Sequence, residues 1–194
     1  MNILLTNDDG IHSEGLRIIL EYLKKIKEIN VFVIAPDTQR SAVGVSLSLH
    51  RPLRLIKLEK NIFISDGTPA DCVNLALFSG HPDLPKKIDL VISGINSGPN
   101  LGQDVFYSGT VGAALEAQMH SISAIAVSCC AFNDKTYNYH IPAFYTAQLL
   151  KNVLLKKKIL TKKILTLNLN APAVKNRKEI KGVKFTRIGK RYYP

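Results

Sequence analysis

Two adjacent carboxylates near the start of the chain are the residues with the clearest chemical potential. They lie in Asn7-Asp8-Asp9-Gly10, directly after the apolar run Ile3-Leu4-Leu5. The run predicts a buried strand, and open α/β sheets bind ligands beyond the carboxyl ends of their strands. On such a turn both carboxylates can converge on one point, where a hard cation such as Mg²⁺ or Mn²⁺ offsets their repulsion. The alternative interpretation is a solvated turn, since Asn, Asp and Gly are common turn residues.

Two more oxygen donors follow apolar runs in the same way. Ser41 comes shortly after Val31-Phe32-Val33-Ile34-Ala35, and Asn96 comes shortly after Leu90-Val91-Ile92. Parallel strands would bring both residues to the sheet edge that carries the two carboxylates. Each segment taken alone is more often a plain connection. Together they predict a metal site made of Asp8, Asp9, Ser41 and Asn96.

A fourth segment supplies a candidate phosphate site. Ser108-Gly109-Thr110 opens into the Ala-rich stretch 111–117, which is typical of a helix start. Free N–H groups and the positive end of the helix dipole favour a phosphate there, and glycine allows close approach of the backbone. An ordinary N-cap is the alternative for this segment alone. A metal site and a phosphate site in one chain favour phosphoryl chemistry.

The elements that must position these residues alternate between strands and helices. We predict a Rossmann-like, three-layer α/β/α fold with a mostly parallel sheet, because this alternation is typical of parallel sheets covered by helices. A β-ribbon excursion is expected over about 45–65. The predicted strands are 2–6, 31–35, 89–93, 124–129 and 164–169, and the predicted helices are about 15–27, one from Pro69 with Thr68 as N-cap, 109–119 and about 142–155.

These motifs resemble the SurE family of metal-dependent nucleotidases, also called survival protein SurE. Six stretches match in the same order along the first 130 residues or so. They are 3–11, 35–37 with 40–42, 49–53, Gly67-Thr68-Pro69-Ala70-Asp71-Cys72-Val73, 93–102 and Tyr107-Ser108-Gly109-Thr110-Val111. The resemblance implies one divalent metal ion per subunit, Mg²⁺ or Mn²⁺, held by the four residues named above. It also implies hydrolysis of nucleoside monophosphates and a homodimeric or homotetrameric assembly.

The roles expected in this reaction can be assigned to named residues. Asp8 and Asp9 are expected to be metal ligands, and Asp8 is the favoured base toward the attacking water. Ser108, Gly109 and Thr110 are expected to hold the phosphate. Asn100 and Asp104, in the loop 94–108, are expected either to contact the substrate or to be ordinary loop residues. His12 lies closest to the metal loop in sequence and is expected to be structural.

The resemblance also has a departure at the C-terminal end. Members of the family generally continue for several tens of residues beyond the stretch that matches 187–191, with an element used in subunit exchange. From this departure we expect weaker assembly, lower stability and reduced activity relative to a longer relative. The metal loops all precede residue 111 and are expected to form regardless.

Composition restricts the class of protein further. The length of 194 residues predicts one domain, and no apolar run is long enough to predict a membrane span or a signal peptide. Cys72, Cys129 and Cys130 lack disulfide or zinc spacing, which predicts buried thiols and a cytoplasmic location. Residues 151–194 hold 14 basic residues and one acidic residue, a net charge of +13, whereas residues 1–150 hold 12 and 14, a net charge of −2. The basic region lacks a nucleic-acid-binding motif, so nucleic acid is not an expected partner.

Two other classes compete with this hypothesis. A haloacid-dehalogenase-type phosphatase needs a second Asp two residues after a strand-end Asp, and the adjacent Asp8 and Asp9 have the wrong spacing. A non-catalytic nucleotide-binding module, or a weakly active truncated nucleotidase, stays open on the sequence alone. Metal-dependent release of phosphate distinguishes catalysis from binding.

Overall fold

A single mixed sheet with helices on both faces forms the protein. The computed structural model describes residues 1–131, 136–156, 159 and 163–190. The strands are β1 (Asn2–Thr6), β2 (Asn30–Pro36), β3 (Leu55–Glu59), β4 (Ile62–Ser65), β5 (Leu90–Ser97), β6 (Ser123–Cys130) and β7 (Thr166–Pro172). The α-helices are α1 (Glu14–Leu23), α2 (Pro69–Phe78), α3 (Gly109–Met119) and α4 (His140–Leu149).

The order of the strands places a crevice at the centre of the sheet. The order is β3-β4-β2-β1-β5-β6-β7, and only the edge pair β3–β4 is antiparallel within the described sheet. From β1 the chain first builds outward through β2 and then returns to the other side of β1 with β5. The connection after β1 leads toward β2, and the connection after β5 leads in the opposite direction, toward β6. Because the two connections diverge, a crevice opens beyond the carboxyl ends of β1 and β5.

Two apolar clusters cover the two faces of the sheet. Helices α1 and α4 pack on one face, with Leu16, Ile19 and Leu150 among the buried side chains. Helices α2 and α3 pack on the other face through small residues such as Ala113 and Ala117. The central strands β1, β5 and β6 are buried on both faces, which explains their nearly continuous apolar sequences. The predicted α/β/α architecture is confirmed.

The start of α2 follows from its local sequence. The Thr68 hydroxyl accepts a bond from the Asp71 backbone N–H at 3.1 Å, and the Asp71 carboxylate accepts one from the Thr68 N–H at 2.8 Å. This reciprocal capping box, with Pro69 at the first helical position, confirms the predicted start of the helix. The other Asp71 oxygen accepts a bond from the Ser48 N–H at 3.0 Å, so the same side chain anchors the preceding loop.

Several predicted boundaries differ from those of the structure. Strand β5 continues to Ser97 rather than ending at 93, because its pairing with β6 resumes at Asn96 after an irregularity. Within the predicted ribbon, only the hairpin of β3 and β4 is regular, and 45–54 is irregular. Helix α1 ends at Leu23, and the predicted helix 142–155 divides into α4 and the π-helical turns of Leu150–Leu155. The length of a buried strand depends on its neighbours in the sheet, which local sequence does not reveal.

Across the described ranges, none of the helices combines the length and the apolar character needed to span a bilayer.

Candidate metal and phosphate site

The turn after β1 is organised by Asn7. Its side-chain amide donates to the Gly10 carbonyl at 3.0 Å and to the Ser13 hydroxyl at 2.6 Å, and Ser13 in turn caps α1. Gly10 has a φ of 93° and packs against the backbone at Thr38, so a side chain there would be strained and crowded. The turn therefore holds the two carboxylates between β1 and α1 in one defined backbone conformation.

Asp8 is a buried carboxylate anchored by a hydroxyl from α3. The Thr110 hydroxyl donates to Asp8 Oδ1 at 2.5 Å, and the Asp8 side chain is 6% exposed. Burial raises the pKa of the Asp8 carboxyl, the bond from Thr110 lowers it, and the charge of Asp9 raises it again; the net direction is upward. One oxygen of Asp8 is thus occupied by Thr110, which leaves Oδ2 for a ligand.

Asp9 is held in a similar way by the end of β5. Its Oδ2 accepts bonds from both the backbone N–H and the hydroxyl of Ser97, each at 3.1 Å. The Ser97 hydroxyl also lies 2.7 Å from the phenol oxygen of Tyr139, which is buried. Burial raises the pKa of Tyr139, so this phenol keeps its proton through the neutral range.

The loop that carries Ser41 is tied directly to Asp8. The Arg40 backbone N–H donates to the Asp8 carbonyl at 2.7 Å, and the Gln39 side-chain amide donates to the Ser41 hydroxyl at 2.9 Å. Further along, the Gly44 N–H donates to the Tyr107 carbonyl at 2.9 Å, next to the start of α3. The loop after β2 is therefore attached to the turn after β1 at Arg40 and to the segment before α3 at Gly44.

Asn96 lies within β5 rather than in the loop beyond it. Its side-chain N–H donates to the Gly98 carbonyl at 2.9 Å, which leaves its side-chain oxygen for another partner. In the register of the sheet Asn96 pairs with Ser128 of β6. The carboxyl edge of the sheet thus contributes this oxygen donor as predicted, though from the strand itself.

At the start of α3 the predicted phosphate residues have other contacts. The Ser108 hydroxyl accepts from the Val111 N–H at 3.1 Å and caps the helix, while the Thr110 side chain is fully buried against Asp8. A Cβ on Gly109 would lie 2.9 Å from the Cβ of Asp8, so this position requires glycine. The side chains of Ser108 and Thr110 therefore serve the helix and the carboxylate. A backbone hydrogen bond from Thr110 also lowers the pKa of the Asp8 carboxyl, so the positive end of the helix dipole remains for an anion.

Asn100 is clamped by two asparagines of β7 that the sequence analysis did not single out. Asn168 and Asn170 donate to the Asn100 carbonyl at 2.9 and 3.2 Å, and the Asn170 side-chain oxygen accepts from the Asn100 N–H at 2.9 Å. The Asn100 side chain donates to Ser128 Oγ at 2.9 Å. The alternating Asn-Leu-Asn pattern of β7, which places two amides on one face, was the available signal.

A cavity of about 290 Å³ opens where these segments meet. Residues from the loops after β1 and β2, from β5 and from the start of α3 line it; among them are Asp8, Ser41, Asn96, Asn100, Asp104 and Ser108. Gly109 and Thr110 pack behind Asp8, and Asp9 is turned toward Ser97. The structure therefore brings four of the predicted residues together around one cavity, namely Asp8, Ser41, Asn96 and Ser108, whereas Asp9, Gly109 and Thr110 do not line it.

The donor set fits a hard divalent cation. In the described ranges no group of three or more His, Cys, Asp and Glu side chains is arranged for a metal, so Ser41 and Asn96 would have to complete the set of oxygen ligands. The main contributions to the raised pKa of Asp8 come from burial and from Asp9, and no Lys or Arg is among them. In the described part of the chain neither Asp8 nor Asp9 forms a salt bridge with a basic side chain. A bound cation would stabilise two neighbouring carboxylates in this environment.

The remaining candidates lie outside this cavity. All three cysteines are buried free thiols, as predicted. Burial raises the pKa of Cys129 to about 11 and that of Cys130 to about 12, and it also raises that of Cys72, so none of them is a thiolate near neutral pH. His12 is exposed on the turn before α1.

Both the sequence and the fold are similar to those of known proteins. The family described as "Survival protein SurE" matches residues 3–194. The chain belongs to the SurE family. The 5'-nucleotidase SurE of Geobacter sulfurreducens is 46% identical over 193 residues, and that of Geotalea daltonii is 47% identical over 193 residues. Both alignments cover 100% of this chain, with 70% and 74% of the relatives covered.

A solved SurE structure has the same fold. The crystal structure of the SurE protein from Aquifex aeolicus is 40% identical, with a TM-score of 0.83. The match covers 100% of this chain and 75% of that one. The whole described sheet and the loops of the cavity thus lie within the region shared with this SurE family member.

Proposed function

We infer that this SurE family protein is a metal-dependent nucleotidase, which hydrolyses nucleoside monophosphates to nucleoside and phosphate. The observation that carries this function is the convergence of Asp8, Ser41, Asn96 and Ser108 on one cavity at the switch point of the sheet. The printed names of the relatives, 5'-nucleotidase SurE, support the same activity. The enzyme is a phosphoric monoester hydrolase.

Asp8, Asp9, Ser41 and Asn96 would hold the metal. One Mg²⁺ or Mn²⁺ ion per subunit, when bound, lowers the pKa of a bound water and offsets charge on the transferring phosphoryl group. Asp8 offers Oδ2, because Thr110 occupies Oδ1, and Asp9 offers Oδ1, because Ser97 occupies Oδ2. Each carboxylate is thus held by one oxygen while the other remains available.

The phosphate binds between this site and the start of α3. The positive end of the dipole of α3, at Gly109 and Thr110, stabilises negative charge, and Ser108 lines the cavity. Asp8 serves as the base that takes a proton from the attacking water, because its buried carboxyl has a raised pKa and adjoins the cavity. Asn100 and Asp104 in the cavity wall face the rest of the substrate.

We also propose a homodimeric or homotetrameric assembly and a cytoplasmic location. The assembly is supported by large apolar side chains at Val183, Phe185 and Ile188, which are 77%, 94% and 66% exposed in one chain. The location is supported by three buried thiols in the free state, including the adjacent pair Cys129 and Cys130.

The direct test is release of phosphate from a panel of nucleoside monophosphates in the presence of Mg²⁺, Mn²⁺ or EDTA. We expect release with at least one of the metals and loss of release with EDTA. Asp8→Asn and Asp9→Asn should each reduce turnover by orders of magnitude, with the fold kept as judged by circular dichroism. Asp83→Asn, which removes a carboxylate from an exposed pair with Lys57, is the matched control.

Two outcomes would contradict this function. Nucleotide binding without metal-dependent phosphate release would indicate a binding module instead of an enzyme. If either Asp8→Asn or Asp9→Asn turned over substrate as fast as the unmodified protein, the replaced carboxylate would not be a metal ligand.

A further inference from the structure

The carboxylate of Asp9 is oriented by a chain of hydroxyl groups that leads into the core. Ser97 Oγ donates to Asp9 Oδ2 at 3.1 Å and lies 2.7 Å from the Tyr139 phenol oxygen. A hydroxyl has one proton to donate. Because the Ser97 hydroxyl donates its proton to the Asp9 carboxylate, the Tyr139 hydroxyl must be the donor in its bond with Ser97. The direction of the chain is therefore fixed from Tyr139 through Ser97 to Asp9.

The two ends of this chain differ in their freedom to move. Ser97 is exposed at the last position of β5, where an isolated serine side chain would exchange between rotamers. Tyr139 is 7% exposed, belongs to the apolar cluster beneath α1 and α4, and stacks on Tyr137 with ring centroids 5.7 Å apart. The bond from Tyr139 selects one rotamer of Ser97, and the packed core holds Tyr139 itself.

The backbone strengthens the same arrangement. The Ser97 N–H donates to the same Oδ2 atom, so two donors from one residue hold one oxygen of Asp9. The carboxylate cannot rotate without losing both bonds, and its Oδ1 is the oxygen left for a cation. Hydrogen bonds in a chain also polarise one another, which strengthens the bond to the carboxylate.

We propose that Ser97 and Tyr139 are positioning residues, which set the orientation of Asp9 for the divalent cation through the hydroxyl chain. The proposal rests on the metal site of the proposed function. Outer partners of this kind typically contribute roughly 10- to 100-fold to metal affinity or activity. Tyr139 is the more distant member, and its loss leaves both donors of Ser97 in place with a freer side chain.

The test measures binding of Mn²⁺ without any nucleotide, by electron paramagnetic resonance of free Mn²⁺ and by titration calorimetry. Ser97→Ala should weaken binding by roughly tenfold or more. Tyr139→Phe should weaken it by roughly three- to tenfold, the range of one neutral hydrogen bond. Ser97→Thr keeps the hydroxyl and should remain within about threefold of the unmodified protein.

Two further variants make the test specific. Tyr137→Phe removes a hydroxyl from the stacked neighbour and keeps the Tyr139 phenol, so binding of Mn²⁺ should not change. In the double variant Ser97→Ala with Tyr139→Phe, the effect should equal that of Ser97→Ala alone, because Tyr139 acts through Ser97. Additive effects would overturn the proposal that Tyr139 acts through Ser97.

The remaining outcomes separate this proposal from the proposed function. Unchanged Mn²⁺ affinity in both Ser97→Ala and Tyr139→Phe would overturn the positioning role, even if the nucleotidase activity stands. Metal binding that depends on Ser97 without hydrolysis of any nucleotide would support the positioning role and contradict the enzyme. If Ser97→Ala fails to fold, the comparison of Tyr139→Phe with Tyr137→Phe decides the question.

Discussion

Asp8 and Asp9 are adjacent in sequence but have separate supports. Asp8 is held by Thr110 from α3, and Asp9 is held by Ser97 from β5. In the proposed metal site, these separate supports leave one oxygen of each carboxylate for the cation. We therefore expect the affinity of the proposed site for metal to depend on hydroxyl groups that are not themselves ligands.

The first prediction concerns the hydroxyl of Thr110. Thr110→Val keeps the shape of the side chain and removes the donor to Asp8, so we expect Mn²⁺ affinity to fall by roughly 10- to 100-fold. Thr110→Ser keeps the donor and is the matched control. Calorimetric titration with Mn²⁺ is the measurement. Equal affinity in the two variants would show that the hydroxyl does not support the carboxylate, and a change confined to KM would assign Thr110 to the phosphate.

The second prediction concerns the charge of Asp8 in the metal-free protein. Its carboxylate is buried beside Asp9, and this proximity disfavours the charged form. Asp8→Asn keeps the shape and removes the charge, so in EDTA at neutral pH we expect an unchanged or higher melting temperature. In excess Mn²⁺ the order should reverse, because only the unmodified protein gains stability from the ion. A lower melting temperature of the variant in EDTA would contradict the unfavourable burial of this charge.

At the scale of elements, the loop 37–45 is shaped by contacts with other segments. Gly112 of α3 allows the Gly44 carbonyl to approach, since a Cβ at Gly112 would lie 2.1 Å from that oxygen. At the other end of this loop, the Arg40 side chain donates to the backbone carbonyl of Asp66, just beyond β4. The same residue accepts bonds from Arg51 through its carbonyl and from the Arg54 N–H through its carboxylate. The position of Ser41 therefore depends on a helix and a strand that lie elsewhere in the sequence.

The third prediction concerns this close approach. Gly112→Ala places a methyl group against the backbone of the loop, which must shift outward and carry Ser41 away from Asp8. We expect weaker Mn²⁺ binding and lower turnover, together with a destabilisation of roughly 1–3 kcal/mol from overpacking. Chemical denaturation and Mn²⁺ titration are the measurements. Gly189→Ala, at a position with open space, is the control. If Gly112→Ala bound Mn²⁺ with the affinity of the unmodified protein, the conformation of the loop would not determine the position of Ser41 as a ligand.

The fourth prediction concerns pH. A backbone bond from the Arg54 N–H, together with the charge of Arg51, holds the pKa of Asp66 below its usual value. A carboxyl with a lowered pKa in the folded state contributes stability above the pKa of the unfolded chain, and this stability is lost as the pH falls through the folded pKa. We expect Asp66→Asn to lower the free energy of unfolding near pH 7 by less than about 1 kcal/mol, because the ion pairs are partly exposed.

The measurement for Asp66 is urea denaturation across a range of pH. The difference between Asp66→Asn and the unmodified protein should shrink as the solution becomes acidic. Glu59→Gln removes a charge from the exposed strand of the same hairpin and serves as the control. A difference that stays constant down to acidic pH would mean that the carboxylate charge is not responsible.

The C-terminal part of the chain combines positive charge with exposed apolar side chains. Residues 151–194 carry a net charge of +13, and the apolar side chains of Val183, Phe185 and Ile188 protrude from the described part of that region. Burial of these side chains between copies would gain hydrophobic free energy, while the like charges would repel. The balance between the two is sensitive to salt.

The fifth prediction follows from this balance. We expect light scattering coupled to size exclusion to give two or four times the 21.5 kDa of one chain, with the larger species favoured as ionic strength rises. Phe185→Ser should shift the distribution toward single chains. A single-chain mass for the unmodified protein at all salt concentrations would contradict the assembly. If Phe78→Ser, at the outer face of α2, has the effect instead, the contact lies elsewhere.

Local sequence determined several features of this protein without reference to the rest of the fold. The capping box of Thr68 and Asp71 forms within one turn, so its two partners can be read from their spacing. The helix Gly109–Met119 was predicted with its bounds, and Ser108 as a strong N-cap determines where it begins. The alternation of strands and helices predicted a parallel sheet, and with it the edge at which Asp8, Ser41 and Asn96 meet.

Tertiary structure alone decided how these side chains are held. Thr110 and Asp8 are 102 residues apart, and Ser97 and Tyr139 are 42 apart. No local periodicity encodes such pairs, because a hydrogen bond between distant residues depends on the position of both elements in the packed fold. For the same reason, the bond from the Thr110 hydroxyl to the Asp8 carboxylate could not be predicted from the position of Thr110 at the start of α3. Oxygen donors at strand ends can thus be found from sequence, whereas their orientation follows only from the elements packed around them.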